Sequence, residues 1–174
     1  MLLNKGAELN AKGLYGVNPL YAACSKGYHQ IVKVLLNNNV DVNLCDDNGL
    51  SPLYIACRGG YEKTVQTLLK GGANANLSTK EGTSPLYVTC SEGYPNIVKL
   101  LINKGANVNE CNSPDGSSPL FIASQKGHVE VVKLLLANGA DINKRTKAGI
   151  SPLTAARLFG YDNIAQMLEM KSTD

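Results

Sequence analysis

Residues 118–143 read SPLFIASQKGHVEVVKLLLANGADIN, and elementary chemistry marks two short helices and their stops on that stretch. The Ser118 hydroxyl can accept from an open backbone N–H at a helix start, and Pro119 brings the fixed φ that suits the first helical position. Gly127, with no Cβ, can take the left-handed conformation that closes a helix. A second helix is predicted beyond it, where Val131, Val132, Leu135 and Leu136 fall on one face. Gly139 closes that helix in turn. A polar connection then leads to Gly149, which marks a tight turn at the tip of an extended, hairpin-like finger.

Outward from this stretch the instructions recur. Asn18-Pro19-Leu20-Tyr21, Ser51-Pro52-Leu53-Tyr54, Ser84-Pro85-Leu86-Tyr87, Ser118-Pro119-Leu120-Phe121 and Ser151-Pro152-Leu153-Thr154 follow one another at 33, 33, 34 and 33 residues. First helices are expected to stop at Gly27, Gly60, Gly93, Gly127 and Gly160, second helices at Asn39, Gly72, Gly105 and Gly139. Asn39 is the informative exception, since Asn best replaces Gly in the left-handed region. Gly16, Gly49, Gly82, Gly116 and Gly149 turn the fingers. The longer interval comes from one extra residue within Glu110 to Asp115, in an exposed connection where an insertion costs little. Such a period predicts a stack of units that cannot bury their apolar faces singly, and stacks of this kind usually bind other proteins.

The chain resembles the ankyrin repeat family. That family's pattern of Thr-Pro-Leu-His, Gly-His, an Ile-Val and Leu-Leu stripe and Gly-Ala-Asp-x-Asn is met by Ser51-Pro52-Leu53, Gly127-His128, Val131-Val132, Leu135-Leu136 and Gly139-Ala140-Asp141-Ile142-Asn143. One departure is systematic. Where the family has His after Pro-Leu, this chain has Tyr21, Tyr54, Tyr87, Phe121 and Thr154, so hydrogen bonding by that His must be absent or replaced, with aromatic packing between units the plainest substitute. The resemblance implies an all-α solenoid of helix-turn-helix units with fingers. Its divisions are a truncated unit over 1–12, repeats over 13–45, 46–78, 79–111 and 112–145, and a C-terminal capping repeat over 146–174.

Composition narrows the class further. The 174 residues are 44% hydrophobic and 18% charged, and no apolar run approaches the roughly 18–20 residues of a membrane span. Asn4-Lys5-Gly6 directly after Leu2-Leu3 is unlike a secretory signal. Five cysteines, an odd number without a C-x-x-C pair, fit a reducing compartment, so cytoplasm or nucleus is expected. A net charge of +3 is too weak to name a partner.

Constellations suited to catalysis or metal binding are weak. Cys24, Cys57 and Cys90 recur in phase, but packed helices lie about 8–10 Å apart, too far for a shared zinc with bonds of about 2.3 Å or for a disulfide. Ser124 fills the same position in the next unit, so small core fillers are expected, with Cys45 and Cys111 the more exposed thiols. His128 stands where Tyr28, Tyr61, Tyr94 and Tyr161 stand elsewhere, which argues against proton transfer, and His29 begins a second helix. No phosphate-binding loop, dinucleotide turn or H-E-x-x-H helix occurs. Asn76-Leu77-Ser78 fits a glycosylation acceptor, yet Asn76 matches Asn43, Asn109 and Asn143, the asparagine that supports the turn in ankyrin proteins. No enzyme, cofactor or metal is expected.

Recognition is therefore sought on fingers and first helices, the concave face that the resemblance implies. Lys26, Arg58, Lys80, Lys126 and Lys147 there oppose Asp47, Glu81, Glu92 and Asp115, a near cancellation that disfavours nucleic acid. Leu14, Tyr15 and Val17 in the first finger, Leu50 in the second, and Ile150, Leu158 and Phe159 near the end are apolar where exposure is expected, and Asn48 adds a polar fingertip. Leu158 and Phe159 could equally pack on the C-terminal tail. Lys33, Lys99 and Lys133, in a row with Gln66 and Gln166, read as the solvated face of the second helices.

The ends differ. Arg157 stands where other units have Cys or Ser, and Glu169 where they have Leu or Ile, which reads as a polar cap. Met1 to Asn10 aligns with Leu100 to Asn109, so the chain is expected to open inside a second helix of a longer array. The expected function is non-catalytic recognition of a protein partner by a monomer, without nucleic acid or membrane insertion. The alternative is a targeting or scaffold arm of a larger protein, such as a ubiquitin ligase, a channel or a signalling regulator.

Overall fold

A computed structural model describes residues 8–111 and 113–172; the helical start expected around Met1 lies outside them. Ten α-helices alternate as first and second members of five pairs among these residues: α1 (Pro19–Ser25) with α2 (His29–Leu36), α3 (Pro52–Arg58) with α4 (Glu62–Lys70), α5 (Pro85–Glu92) with α6 (Pro95–Ile102), α7 (Pro119–Lys126) with α8 (Val129–Ala137), and α9 (Pro152–Leu158) with α10 (Asp162–Lys171). First helices pack on first helices and second on second, so the pairs form one stack.

Each first helix begins as its residues dictate. The side chains of Asn18, Ser51, Ser84, Ser118 and Ser151 accept from the backbone N–H three residues on, with proline at the first helical position. The expected stops are left-handed, including Asn39 at φ 59°. Along the second helices, Val32 and Leu35, Val65 and Leu68, Val98 and Leu101, Val132 and Leu135, and Ala165 and Leu168 are buried in a continuous core. Each fully buried leucine contributes about 1.5–3 kcal/mol relative to exposure.

Units are joined by more than apolar contact. The Asn10 side chain accepts from the Asp41 N–H, Asn43 from Asn74, Asn76 from Asn107 and Asn109 from Asp141, at 2.8–2.9 Å. Asn76 and Asn109 also donate to the carbonyls of Gly105 and Gly139 in the following unit. This asparagine therefore supports the next unit's turn, and the amide nitrogen that a glycan on Asn76 would use is already a donor.

The fingers are turns with no strand among the described residues; four are closed by a backbone bond such as Asp46 N–H to Leu50 C=O, and the fourth finger by the Ser113 hydroxyl donating to the Ser117 carbonyl at 2.8 Å. Successive fingers join where the N–H of Asp47 reaches Tyr15, Lys80 reaches Asn48 and Lys147 reaches Asp115. Between the third and fourth the same donor position holds Pro114, which has no N–H, and no such bond reaches Glu81 among the described residues. Other contacts tie that junction: Ser78 Oγ to Glu110 Oε1 at 3.1 Å, and Tyr87 with Ser117.

The last contact corrects the expectation that aromatic packing replaces the family histidine. The Tyr87 hydroxyl shares a hydrogen bond of 2.9 Å with Ser117, and Tyr54 one of 3.3 Å with Thr83. A hydroxyl thus reaches the next finger wherever that finger offers one. At the same register the position opposite Phe121 is Ile150 and that opposite Tyr21 is Leu50, neither of which carries a hydroxyl.

The two ends of the stack are unlike. Ile31 on α2 is 50% exposed, whereas the equivalent Ile97 is 2% exposed beneath the preceding pair. At the other end Arg157 Nη2 donates to Glu169 Oε1 at 2.5 Å, so the two departures read as a cap pair with each other across α9 and α10.

Candidate functional site

The fingers and first helices share one side because each finger runs directly into the proline-capped start of a first helix. At its N-terminal end, Leu14 and Tyr15 stand 77% and 74% exposed on the first finger. Tyr15 is held at φ 58°, an uncommon conformation for a bulky residue. Its carbonyl is fixed by the Asp47 N–H, so the side chain projects from a secured backbone. At the far end Leu158 and Phe159 are 69% and 56% exposed, so neither packs on the described C-terminal tail.

Other predicted apolar anchors lie deeper. Val17, Leu50 and Ile150 are half-buried, and Leu50 packs against the core. Leu50 is thus less exposed than expected of a fingertip residue, packing on the core while it lines a cleft. Among the polar candidates Lys26, Asp47, Asn48, Arg58, Lys80, Glu81, Glu92, Asp115, Lys126 and Lys147 are exposed. Two of these are engaged within the fold. Lys147 donates to the Pro114 carbonyl at 2.7 Å. Burial pushes the Asp115 carboxyl upward, but hydrogen bonds from the Ser117 hydroxyl and N–H and from Ser113 outweigh it and hold the group below its ordinary range. Lys26, Arg58, Lys80, Glu81, Glu92 and Lys126 make no ion pair among the described residues.

The structure brings several of these together. Asn48, Leu50, Arg58, Lys80 and Glu81 line one cleft of about 440 Å³ between the second and third fingers and α3, with Tyr54, Thr79 and Thr83 completing its wall. Sequence reasoning missed those last three. The signal was present as paired hydroxyls, Tyr54 with Thr83 and Tyr87 with Ser117, against paired apolar residues, Phe121 with Ile150.

Elsewhere the described residues hold no group of three or more His, Cys, Asp or Glu able to take a metal. Cys24, Cys57 and Cys90 are fully buried, and burial raises the thiols of Cys24 and Cys57 to about 12 and that of Cys90 further. Cys45 and Cys111, expected to be the exposed thiols, are half-buried and point their sulfurs at the carbonyls of Asn43 and Asn109. His128 is a bridge between units: Nε2 donates to the Ser91 carbonyl at 2.9 Å. No described helix is long and apolar enough to cross a membrane.

A family model described as ankyrin repeats (3 copies) matches residues 1–79 and 71–146. No curated protein matches the chain.

Proposed function

Because the chain belongs to the ankyrin repeat family, whose repeats are generally protein–protein interaction modules and typically non-catalytic, we propose that it is a monomeric recognition module that binds a protein partner through its fingers and first helices. The observation that carries this reading is the pairing of large exposed apolar groups with unpaired charges on one side: Leu14, Tyr15, Leu158 and Phe159 at the ends, with Lys26, Arg58, Lys80, Glu81, Glu92 and Lys126 between them. Apolar anchors inside a polar frame are the usual composition of a protein interface. The second helices instead present Lys33, Lys99 and Lys133, the last of which is paired with Glu130 at 2.7 Å.

The test is affinity capture with crosslinking on the immobilised chain, followed by affinity measurement on the partner so identified. Replacing Leu14, Tyr15 and Arg58 together by Ala should weaken binding by about 2 kcal/mol or more, on the order of 30-fold. Leu50 is left intact because its loss would also disturb the core. The triple Lys33→Ala, Lys99→Ala, Lys133→Ala should change affinity little. The reverse result would move the function to the outer helices.

A further inference from the structure

We propose that the cleft around Arg58 and Lys80 seats a single carboxylate, the side chain of an Asp or Glu in an extended segment of the partner. The proposal rests on the reading of this side as the binding face and names what that face selects. The position of Arg58 is occupied in the other units by Ser25, Ser91, Gln125 and Leu158, so it carries the one charge in its column. A guanidinium offers a planar fork of donors matched to a carboxylate, and this one is exposed and makes no ion pair among the described residues.

The walls of the cleft are fixed in advance. The Lys80 N–H donates to the Asn48 carbonyl at 3.1 Å, which locks the second and third fingers together. Behind Arg58 a chain of hydroxyls runs from Tyr54 to Thr83 at 3.3 Å and from Thr83 to Thr79 at 2.9 Å. A ligand group entering here therefore meets a formed site with little left to order.

Nearby acids do not satisfy Arg58. The buried Asp46 carboxylate is taken by the N–H groups of Asn48 and Leu50, at 2.9 and 2.7 Å. Glu81 stands exposed at the lip on the same finger as Lys80. Arg58 and Lys80 stand against two acids, the buried Asp46 and the exposed Glu81, so the cleft is near neutral overall and Glu81 repels a second incoming negative charge. That balance favours a lone carboxylate over a doubly charged phosphate or an acidic run. One finger away, Leu14 and Tyr15 offer an apolar contact. Units are spaced by roughly 10 Å, so the cleft lies on the order of 15 Å from that fingertip, which an extended chain covers in about four or five residues at ~3.3 Å each.

The experiment selects random peptides of about twelve residues, with blocked C-termini, on the immobilised chain and measures the winners by fluorescence anisotropy. Selected peptides should carry Asp or Glu with an apolar residue about four or five positions away. Arg58→Gln should weaken the best peptide about tenfold or more, amide replacement of its acid should do the same, and the two changes together should cost no more than either alone. Lys99→Gln, on the second-helix face, should leave affinity unchanged, and unaltered thermal melting of Arg58→Gln would confirm the fold. No enrichment of acids, indifference to Arg58→Gln, or a library without binders overturns the proposal. If Tyr15→Ala weakens the peptides while Arg58→Gln does not, the carboxylate seat falls and the binding face stands; if neither variant matters, both fall.

Discussion

A thiol at the position of Cys24, Cys57 or Cys90 sits where an ion has no water to solvate it, and that gives the fold an alkaline limit. In the unfolded chain these thiols ionise near their ordinary value of 9.0, whereas burial raises Cys24 and Cys57 to about 12 and Cys90 further. The folded state therefore holds protons that the unfolded state releases. Stability is complete below pH 9 and falls as pH rises toward 12, by about 1.4 kcal/mol per unit for each thiol. At pH 11 the loss should reach about 2–3 kcal/mol per cysteine, with the raised hydroxyls of Tyr21 and Tyr87 adding in the same direction. Ser124 already serves in the same position, donating to the Leu120 carbonyl, so a triple Cys→Ser variant should fold. Denaturation midpoints followed from pH 8 to 10.5 should fall much less steeply in that variant; parallel curves would clear the thiols. The glycine stops were equally readable from residue type, but only half of their reason was. A Cβ at Gly27 would lie 2.5 Å from the Tyr61 ring, so this position needs glycine for close approach as well as for φ. Nothing in a single unit announces a neighbour's ring.

Between elements, the informative feature is the tyrosine near the start of each first helix. The departure from the family histidine was visible in the sequence, but its consequence was misread because the partner lies 29 or 30 residues away on the next finger. Comparing the two positions in register would have revealed it: Thr83 and Ser117 offer hydroxyls to Tyr54 and Tyr87, while Leu50 and Ile150 offer none. Tyr87→Phe should therefore cost about 0.5–1.5 kcal/mol, the net worth of one such bond, since the Ser117 hydroxyl keeps its bond to Asp115. Tyr21→Phe, with no hydroxyl partner among the described residues, should cost less than about 0.5 kcal/mol. Urea denaturation of both variants checks this, and equal losses would count against the register argument. Exposure was less legible than residue type: Leu50 is half-buried against the core, while Leu14, Tyr15, Leu158 and Phe159 stand exposed as expected.

At the scale of the whole stack, position along the axis decides what an identical residue is worth. Ile31 and Ile97 fill the same place in their units, yet one is half exposed and the other enclosed. Ile97→Lys would bury an unpaired charge and should cost more than about 3 kcal/mol, while Ile31→Lys should stay under about 1 kcal/mol. Melting temperatures of the two variants make the comparison, and similar losses would mean that the first pair is as covered as the third. Repetition made the architecture legible, since five copies of one instruction leave little choice of fold. The partly formed site was less legible because it lies between copies: Arg58 from one unit meets Lys80 from the next only after stacking. The asparagine ladder adds a direction to that stacking. In every stitch from Asn10 to Asp41 onward, the accepting side chain belongs to the earlier unit and the donating backbone to the later one. A ribosome delivers the chain in that same order, and chains generally fold from the N-terminal side as they emerge. The polarity of the stitches therefore matches the order of synthesis: each later turn brings the donor to an acceptor that the ribosome has already released.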